Sequence, residues 1–332
     1  MMLHTVNWGM IGCGSVAEVK SGPALYKTPN SKLVAVMRRN ANAAADYAHR
    51  HGVGKWYTSA DLLINDPGVN AIYIATPPSS HKEYALMAIK AQKPVYIEKP
   101  MALNFRECQE ILEASQLANV PVFVAYYRRA LPYFLKIKEI VQSGLLGEIK
   151  KVSLTLNKAP KNADKDENNL PWRVKPEVSG GGYFVDLGSH QLDILLFIFG
   201  SLRFQSAIVK NMGWIYHAED YVSAQFTLGK NIPCLGSWNF MAQAQNEIDS
   251  LVIQGTKGQL NASTFGNRTF QLRIGDRIET IEFEPPKHIQ QPLVQCIVDE
   301  LTTATPSCPS TGATASLTNQ IIDQVLFDYY HR

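Results

Sequence analysis

The chain is poor in the features that mark several large protein classes. It holds five cysteines, Cys13, Cys108, Cys234, Cys296 and Cys308. Their odd number and lack of metal-type spacing argue against a disulfide framework or thiolate metal site and suit a reducing compartment. A net charge of +3 without any Lys/Arg run gives no polyanion footprint, so no nucleic-acid partner is expected. The most continuous apolar segment, Leu192 to Phe199, is far too short to span a bilayer. The opening residues lead straight into the apolar run Val6 to Ile11, without the charged start and cleavage site of a secretory leader. There is no internal repeat or low-complexity tract. What remains is 332 residues, 45% hydrophobic and 18% charged, enough for two domains with a sizeable core. A soluble cytoplasmic protein is expected.

What is present begins with Val95-Tyr96-Ile97-Glu98-Lys99-Pro100, an apolar strand-type run that stops at a charged pair and a proline. Proline cannot donate to a ladder and drives Lys99 towards an extended conformation. In a parallel sheet the carboxyl end of such a strand is where ligands bind. Lys99 is then a candidate acid, base or electrophile; otherwise it simply reaches into water.

Near the amino terminus, Gly12, Gly14 and Ala17 form a G-x-G-x-x-A pattern between a strand and a helix. Gly12 permits a tight turn, Gly14 a close backbone approach to a pyrophosphate, and Ala17 close helix packing. The helix start at Ser15 and Val16 would turn amide hydrogens towards the phosphates. The second strand, Lys32 to Met37, ends at Arg38-Arg39, where a carboxylate would meet a free ribose 2′-hydroxyl. An arginine there pairs with a 2′-phosphate, which favours NADP(H) over NAD(H) unless both arginines are merely solvated.

Helices over 43–52 and 59–64 follow, then a strand over 69–75 leading into Thr76-Pro77-Pro78-Ser79-Ser80-His81. Thr76 and Pro77 join the expected cofactor wall, with Ser79 or Ser80 capping a helix that runs to about residue 91. His81 reads as a first-turn cap or packing residue rather than a catalyst. After the strand that ends at Glu98 and Lys99, a helix over 105–119 and a strand over 120–125 continue the alternation of a parallel doubly wound sheet.

Beyond Tyr126-Tyr127-Arg128-Arg129 the pattern changes. A helix over 132–143 precedes strands over 149–157, 203–211, 221–228, 232–241, 248–254, 269–274 and 278–283, and two helices, 292–303 and 315–330, close the chain. Strands joined by turns predict a large, mostly antiparallel sheet. The boundary is expected near 123, giving a dinucleotide-binding domain over 1–123 and a substrate-binding and oligomerisation domain over 124–332. The long loop 158–182 offers Trp172 and Arg173 either to ligand or as an anchor to the core. In the helix that follows, Asp186 and His190 are four apart and share a face, with Asp193 one turn later and Gly188 expected to open that face to a flat ring. Such a pair is either functional or a surface ion pair, and no further ligand cluster supports a metal there.

Together these residues resemble the Gfo/Idh/MocA oxidoreductases, the glucose–fructose oxidoreductase and inositol dehydrogenase family. The resemblance runs nearly end to end: G-x-G-x-x-A, Ala75-Thr76-Pro77-Pro78 to His81, Glu98-Lys99-Pro100, Arg129 to Pro132, Trp172-Arg173, D-x-x-x-H at Asp186 and His190, and Gln254 to Gly258. It implies a Rossmann domain followed by an α+β domain whose open sheet mediates dimers or tetramers, and it implies Lys99, Asp186 and His190 as the catalytic group. His190 would exchange the proton at the substrate oxygen and Lys99 polarise it, or the reverse, with Asp186 orienting one of them. His81, Glu98 and Lys99 join the expected cofactor contacts, and Tyr126, Tyr127, Arg128, Trp172 and Arg173 the substrate wall. The substrate expected is a sugar, cyclitol or related carbonyl or alcohol. Two other readings keep the fold: a glycosidase oxidising transiently on bound NAD, against which Lys99 and Arg38 argue, and a non-catalytic dinucleotide-binding regulator, against which retention of all three catalytic residues argues.

Overall fold

The computed structural model describes residues 3–266 and 268–331. By internal packing the chain divides into two units, Met1–Leu131 with Pro286–Ser316, and Pro132–Pro285 with Leu317–Arg332. By this packing criterion the division falls after Leu131. No hydrophobic period announces the return of residues 286–316 to the first unit.

In the first unit, β1 (Val6–Ile11), α1 (Gly22–Lys27), β2 (Ser31–Met37), α2 (Ala41–His51), β3 (Lys55–Tyr57), α3 (Ala60–Ile64), β4 (Ala71–Ile74), α4 (His81–Lys90), β5 (Val95–Ile97), α5 (Phe105–Ala118) and β6 (Val122–Val124) alternate as expected. The six strands are parallel in the order β3-β2-β1-β4-β5-β6, so the strand order reverses between β1 and β4. The strand β3 was not anticipated, because three residues are too few to show a period. Side chains alternate between the sheet faces. On one face Ile72, Ile74, Val95, Ile97, Val122 and Val124 form a core with Leu63, Ala85, Ala88 and Ile111. On the other, the register aligns Met10, Tyr73, Tyr96 and Phe123 in one row. Asn40 and Asn104 cap α2 and α5 by accepting from Ala43 and Glu107 amides. Ser80 makes no such bond to the start of α4; its hydroxyl donates instead to Thr76 Oγ1 and the Pro77 carbonyl. The returning segment covers the β6 edge: Val124 N–H donates to the Ser310 carbonyl at 3.0 Å, and Ser310 Oγ to the Val124 carbonyl at 2.7 Å.

The second unit contains α6 (Pro132–Gln142), β7 (Ile149–Asn157), α7 (Pro176–Ser179), α8 (Ser189–Phe199), β8 (Leu202–Lys210), β9 (Tyr221–Leu228), β10 (Ile232–Asn239), β11 (Ile248–Gly255), β12 (Gly258–Ala262), β13 (Thr269–Ile274) and β14 (Arg277–Glu282). Two closing helices follow, α9 (Gln291–Thr303), which belongs to the first unit, and α10 (Gly312–Tyr330), in which the division between units falls. The eight strands lie in the order β14-β13-β12-β11-β7-β10-β9-β8, all pairs antiparallel except β7 with β10. Alternate residues such as Val152, Leu154, Leu156, Val222, Phe226, Trp238, Leu251 and Ile253 are buried on one face. Lys151, Gln225 and Leu235 are exposed on the other. Among the described residues no helix is long and apolar enough to cross a membrane, and no His/Cys/Asp/Glu group is arranged to hold a metal.

Candidate active site

In the first unit the expected cofactor residues gather at the carboxyl ends of β1, β4 and β5. Gly12 has φ +96°, and a Cβ there would come within 2.8 Å of the Thr76 methyl and 2.9 Å of its amide nitrogen. Glycine is therefore required where the turns after β1 and β4 touch. A Cβ at Gly14 would meet nothing within 4 Å, so the side of the turn that a pyrophosphate would approach is open. The helix begins at Ser15 and Val16, whose amides have no acceptor within the helix by construction, and passes through a π-turn over Ala17–Ser21 before α1. The Tyr47 hydroxyl donates to the Ala17 carbonyl at 3.1 Å, satisfying backbone at that wider turn. Arg38 and Arg39 are exposed beyond β2, and Arg38 Nη1 reaches the Cys13 carbonyl at 3.4 Å. A cation thus lies beside the glycine turn. These features fit a dinucleotide.

Thr76 and Pro77 line the adjacent turn, but His81 does something else. It is fully buried, with Nε2 2.8 Å from the Thr76 carbonyl and Nδ1 3.0 Å from the Pro100 carbonyl. Both ring nitrogens face the chain, so His81 braces two loops and offers no edge to a ligand. Burial lowers its pKa, so at neutral pH the ring is uncharged and donates to one of the two carbonyls.

Lys99 sits between two constrained neighbours. Pro100 is held through His81, and the Glu98 carboxylate accepts from the Tyr73 hydroxyl at 2.6 Å, Gln290 Nε2 at 2.7 Å and the Lys99 backbone N–H at 3.3 Å. Sequence reasoning missed Tyr73 and Gln290. Its one available signal was a tyrosine in the middle of each of two apolar strands, because a buried phenol needs a partner. Further along, Tyr126 is fully buried and packs in the apolar core with Val124. Tyr127 and Arg128 are also buried, the guanidinium 4.9 Å from the centre of the Tyr127 ring. Arg129 anchors the returning segment through the Pro309 carbonyl and Thr314 hydroxyl, each at 2.8 Å.

In the second unit, Asp186 lies in a π-turn, Phe184–Gly188, that leads directly into α8 and its His190. Such turns widen the backbone and often accompany function. Arg173 Nε lies 3.2 Å from Asp186 Oδ2, and its guanidinium stacks 4.5 Å from the Trp172 ring. The 158–182 loop therefore delivers an arginine to Asp186. His190 is buried and meets the edge of Phe265 at 6.1 Å between ring centres. The loop carrying Phe265 is held because the Asp249 carboxylate accepts the Thr264 and Phe265 amides at 3.0 and 2.6 Å.

Two buried carboxylates unnoticed in the sequence hold the residues that lead into the Asp186 turn. Glu219 accepts the Gly182 amide at 2.8 Å and the Tyr330 hydroxyl at 2.6 Å, and a Cβ at Gly182 would come within 2.4 Å of the Glu219 carbonyl. Asp164 accepts the Tyr183 hydroxyl at 2.6 Å, fastening the loop beside it. Gly188 does not face a ligand: a Cβ there would meet Phe184 at 2.6 Å and Trp238 Nε1 at 3.2 Å, so it admits the core. Asp193 accepts from the Thr318 hydroxyl at 3.1 Å, a structural contact to α10.

Comparison with known proteins agrees with this architecture. Residues 6–126 match the oxidoreductase family model with an NAD-binding Rossmann fold, and residues 134–261 match the GFO/IDH/MocA C-terminal domain. The chain is 42% identical over 294 residues to Oxidoreductase P35 of Formosa agariphila, covering 89% of this chain and 90% of that one. A levoglucosan dehydrogenase in complex with NADH and levoglucosan superposes with a TM-score of 0.87 at 21% identity, covering 98% of each chain. The 3-ketoreductase KijD10 from Actinomadura kijaniata, in complex with NADP and a TDP ligand, does so with a TM-score of 0.84 at 17% identity and 97% coverage of each. With both of its domains matched, the chain belongs to the Gfo/Idh/MocA family of NAD(P)-binding oxidoreductases.

Proposed function

We propose that the protein is an NADP(H)-preferring oxidoreductase that transfers a hydride between nicotinamide C4 and a hydroxyl- or carbonyl-bearing carbon of a sugar, cyclitol or related polyol. The observation that carries this reading is the seat of Lys99, at the carboxyl end of β5, in the same parallel sheet as the glycine turn. The bound dinucleotide supplies or accepts the hydride. Gly12, Gly14, Ser15, Val16, Thr76 and Pro77 would hold its phosphates and nicotinamide side, and Arg38 with Arg39 its adenosine 2′-phosphate. The comparison complexes, one with NADH and a sugar anhydride and one with NADP, support this class of cofactor and substrate for the chain.

Lys99 polarises the substrate oxygen and stabilises the negative charge that develops on it. His190 exchanges the proton at that oxygen, a task for which imidazole chemistry is suited near neutrality. Asp186, paired with Arg173, orients the group that exchanges the proton. Trp172, Arg173, Tyr127 and Arg128 remain our assignments for the substrate wall, and the open face of the eight-stranded sheet our assignment for association of copies in the cytoplasm. Lys99→Met should nearly abolish turnover while leaving NADPH binding measurable by titration, and wild-type turnover in that variant would end the mechanism. A panel of sugars and polyols, run with both cofactors, identifies the substrate.

A further inference from the structure

We infer that Gln290 is a positioning residue for Lys99, acting through the carboxylate of Glu98; the inference rests on the catalytic role proposed for Lys99. Gln290 immediately precedes α9, in the segment that returns to the first unit, and is 1% exposed. Its Nε2 donates to Glu98 Oε1 at 2.7 Å, and its Oε1 accepts from the Tyr96 hydroxyl at 3.0 Å. The amide has one usable orientation. An ionised carboxylate only accepts, so Gln290 must turn its NH2 to Glu98 and its oxygen to the phenol. Tyr73 adds a second donor to Glu98 Oε1. The other carboxylate oxygen accepts the backbone N–H of Lys99 itself.

This array is an expensive way to fill space. Tyr73 and Tyr96 are fully buried and stack with ring centres 4.9 Å apart, a site that two phenylalanines and a leucine would fill as well if Glu98 needed no donors. The polar chain ends instead on the one backbone amide whose residue carries the candidate electrophile. On its far side the Pro100 carbonyl lies 3.0 Å from His81 Nδ1. The Lys99 amide is thus bonded to a carboxylate that Gln290 and Tyr73 hold in place, and a displacement of about 1 Å at a reacting group can cost about 100-fold in rate.

Two substitutions test this, with kcat, KM, NADPH affinity and thermal midpoint followed from acid to alkaline pH. Gln290→Ala removes the donor and should lower kcat by about 100-fold while NADPH affinity is retained. Gln290→Glu retains the shape but exchanges the amide for a carboxyl. When protonated, that carboxyl donates to Glu98 and accepts from Tyr96, so activity should approach wild type at acid pH. Beside Glu98 it keeps its proton to higher pH than an isolated carboxyl, because two carboxylates in contact do not both ionise readily. As pH rises and the proton leaves, kcat should fall along a limb that the wild-type profile lacks. Should Gln290→Ala fail to fold, the acid-pH activity and alkaline loss of Gln290→Glu carry the test. Folded variants with wild-type kcat and a superimposable pH profile, beside an inactive Lys99→Met, would overturn the role of Gln290 and leave that of Lys99 standing. A loss of activity explained entirely by a fall in thermal midpoint would overturn it equally. An active Lys99→Met instead removes the reading on which the inference rests.

Discussion

Gln290 Nε2 donates to Glu98 Oε1 across 192 residues of sequence. The dinucleotide-binding unit is therefore not complete when its last parallel strand has been made. The segment that begins at Pro286 must return to supply the amide, to pair with β6 through Ser310 and to accept Arg129 at Pro309 and Thr314. Tyr73→Phe probes one part of this arrangement, since the ring keeps its volume while the hydroxyl that donates to Glu98 and also meets Ser21 is lost. A hydrogen bond to a charged group contributes about 1.5–3 kcal/mol, and a loss of that order should appear in urea unfolding followed by fluorescence.

Cofactor preference should follow Arg38. Its guanidinium leans on the Cys13 carbonyl beside the glycine turn, while Arg39 is also exposed. Wild-type protein titrated with the two reduced cofactors should bind NADPH more tightly than NADH, and tighter NADH binding would defeat the assignment. Arg38→Ala should weaken NADPH by about tenfold or more, the equivalent of one charge-assisted contact, with little change for NADH.

Gly188→Ala offers a competition between two effects of known size. In a helix interior alanine is favoured over glycine by about 1 kcal/mol. Here its Cβ would press on Phe184 Cδ2 at 2.6 Å and on Trp238 Nε1 at 3.2 Å, and that indole is already committed to Gln191 at 2.6 Å. Overpacking of a filled core costs about 1–3 kcal/mol, so the net effect should be destabilising. Differential scanning calorimetry reads it directly; an unchanged or raised midpoint would mean that Phe184 moves aside freely.

Asp66 should make the first unit acid-sensitive. Its carboxylate accepts from Lys55 Nζ at 2.8 and 2.9 Å, the Tyr57 hydroxyl at 2.8 Å and the Gly68 amide at 2.8 Å. Led by the Lys55 bond, these hold its pKa at about 2, below the usual 3.8. The sign follows: a depressed carboxylate stabilises the fold above about pH 4 and loses that contribution as pH falls towards about 2. The contribution is about 1–2 kcal/mol after allowance for the exposure of Lys55. Asp66→Asn should lower stability at neutral pH and flatten its dependence between those limits, as measured by denaturant unfolding at several pH values.

Local rules determined much of this protein before any coordinates. The alternation of short apolar strands with capped helices requires a parallel sheet covered on both faces, and period-two strands joined by turns require the open antiparallel one. Gly12 announces its turn because its positive φ favours glycine, Gly14 leaves the neighbouring surface open, and Lys99 is marked by the proline that ends its strand. Tertiary structure alone decided which surfaces meet. A three-residue strand such as β3 has no period to read, and nothing near residue 290 says that it will face Glu98. Helical spacing puts Asp186, Gly188, His190 and Asp193 close together, yet the π-turn and the packing of Phe184, Trp238 and Thr318 send Gly188 and Asp193 into the core. Arg173 meets Asp186, and Glu219 meets Gly182, because a folded loop closes those distances. Spacing along a chain reports the neighbours within one element; the partner of a buried charge is settled only when distant elements pack and it must be satisfied.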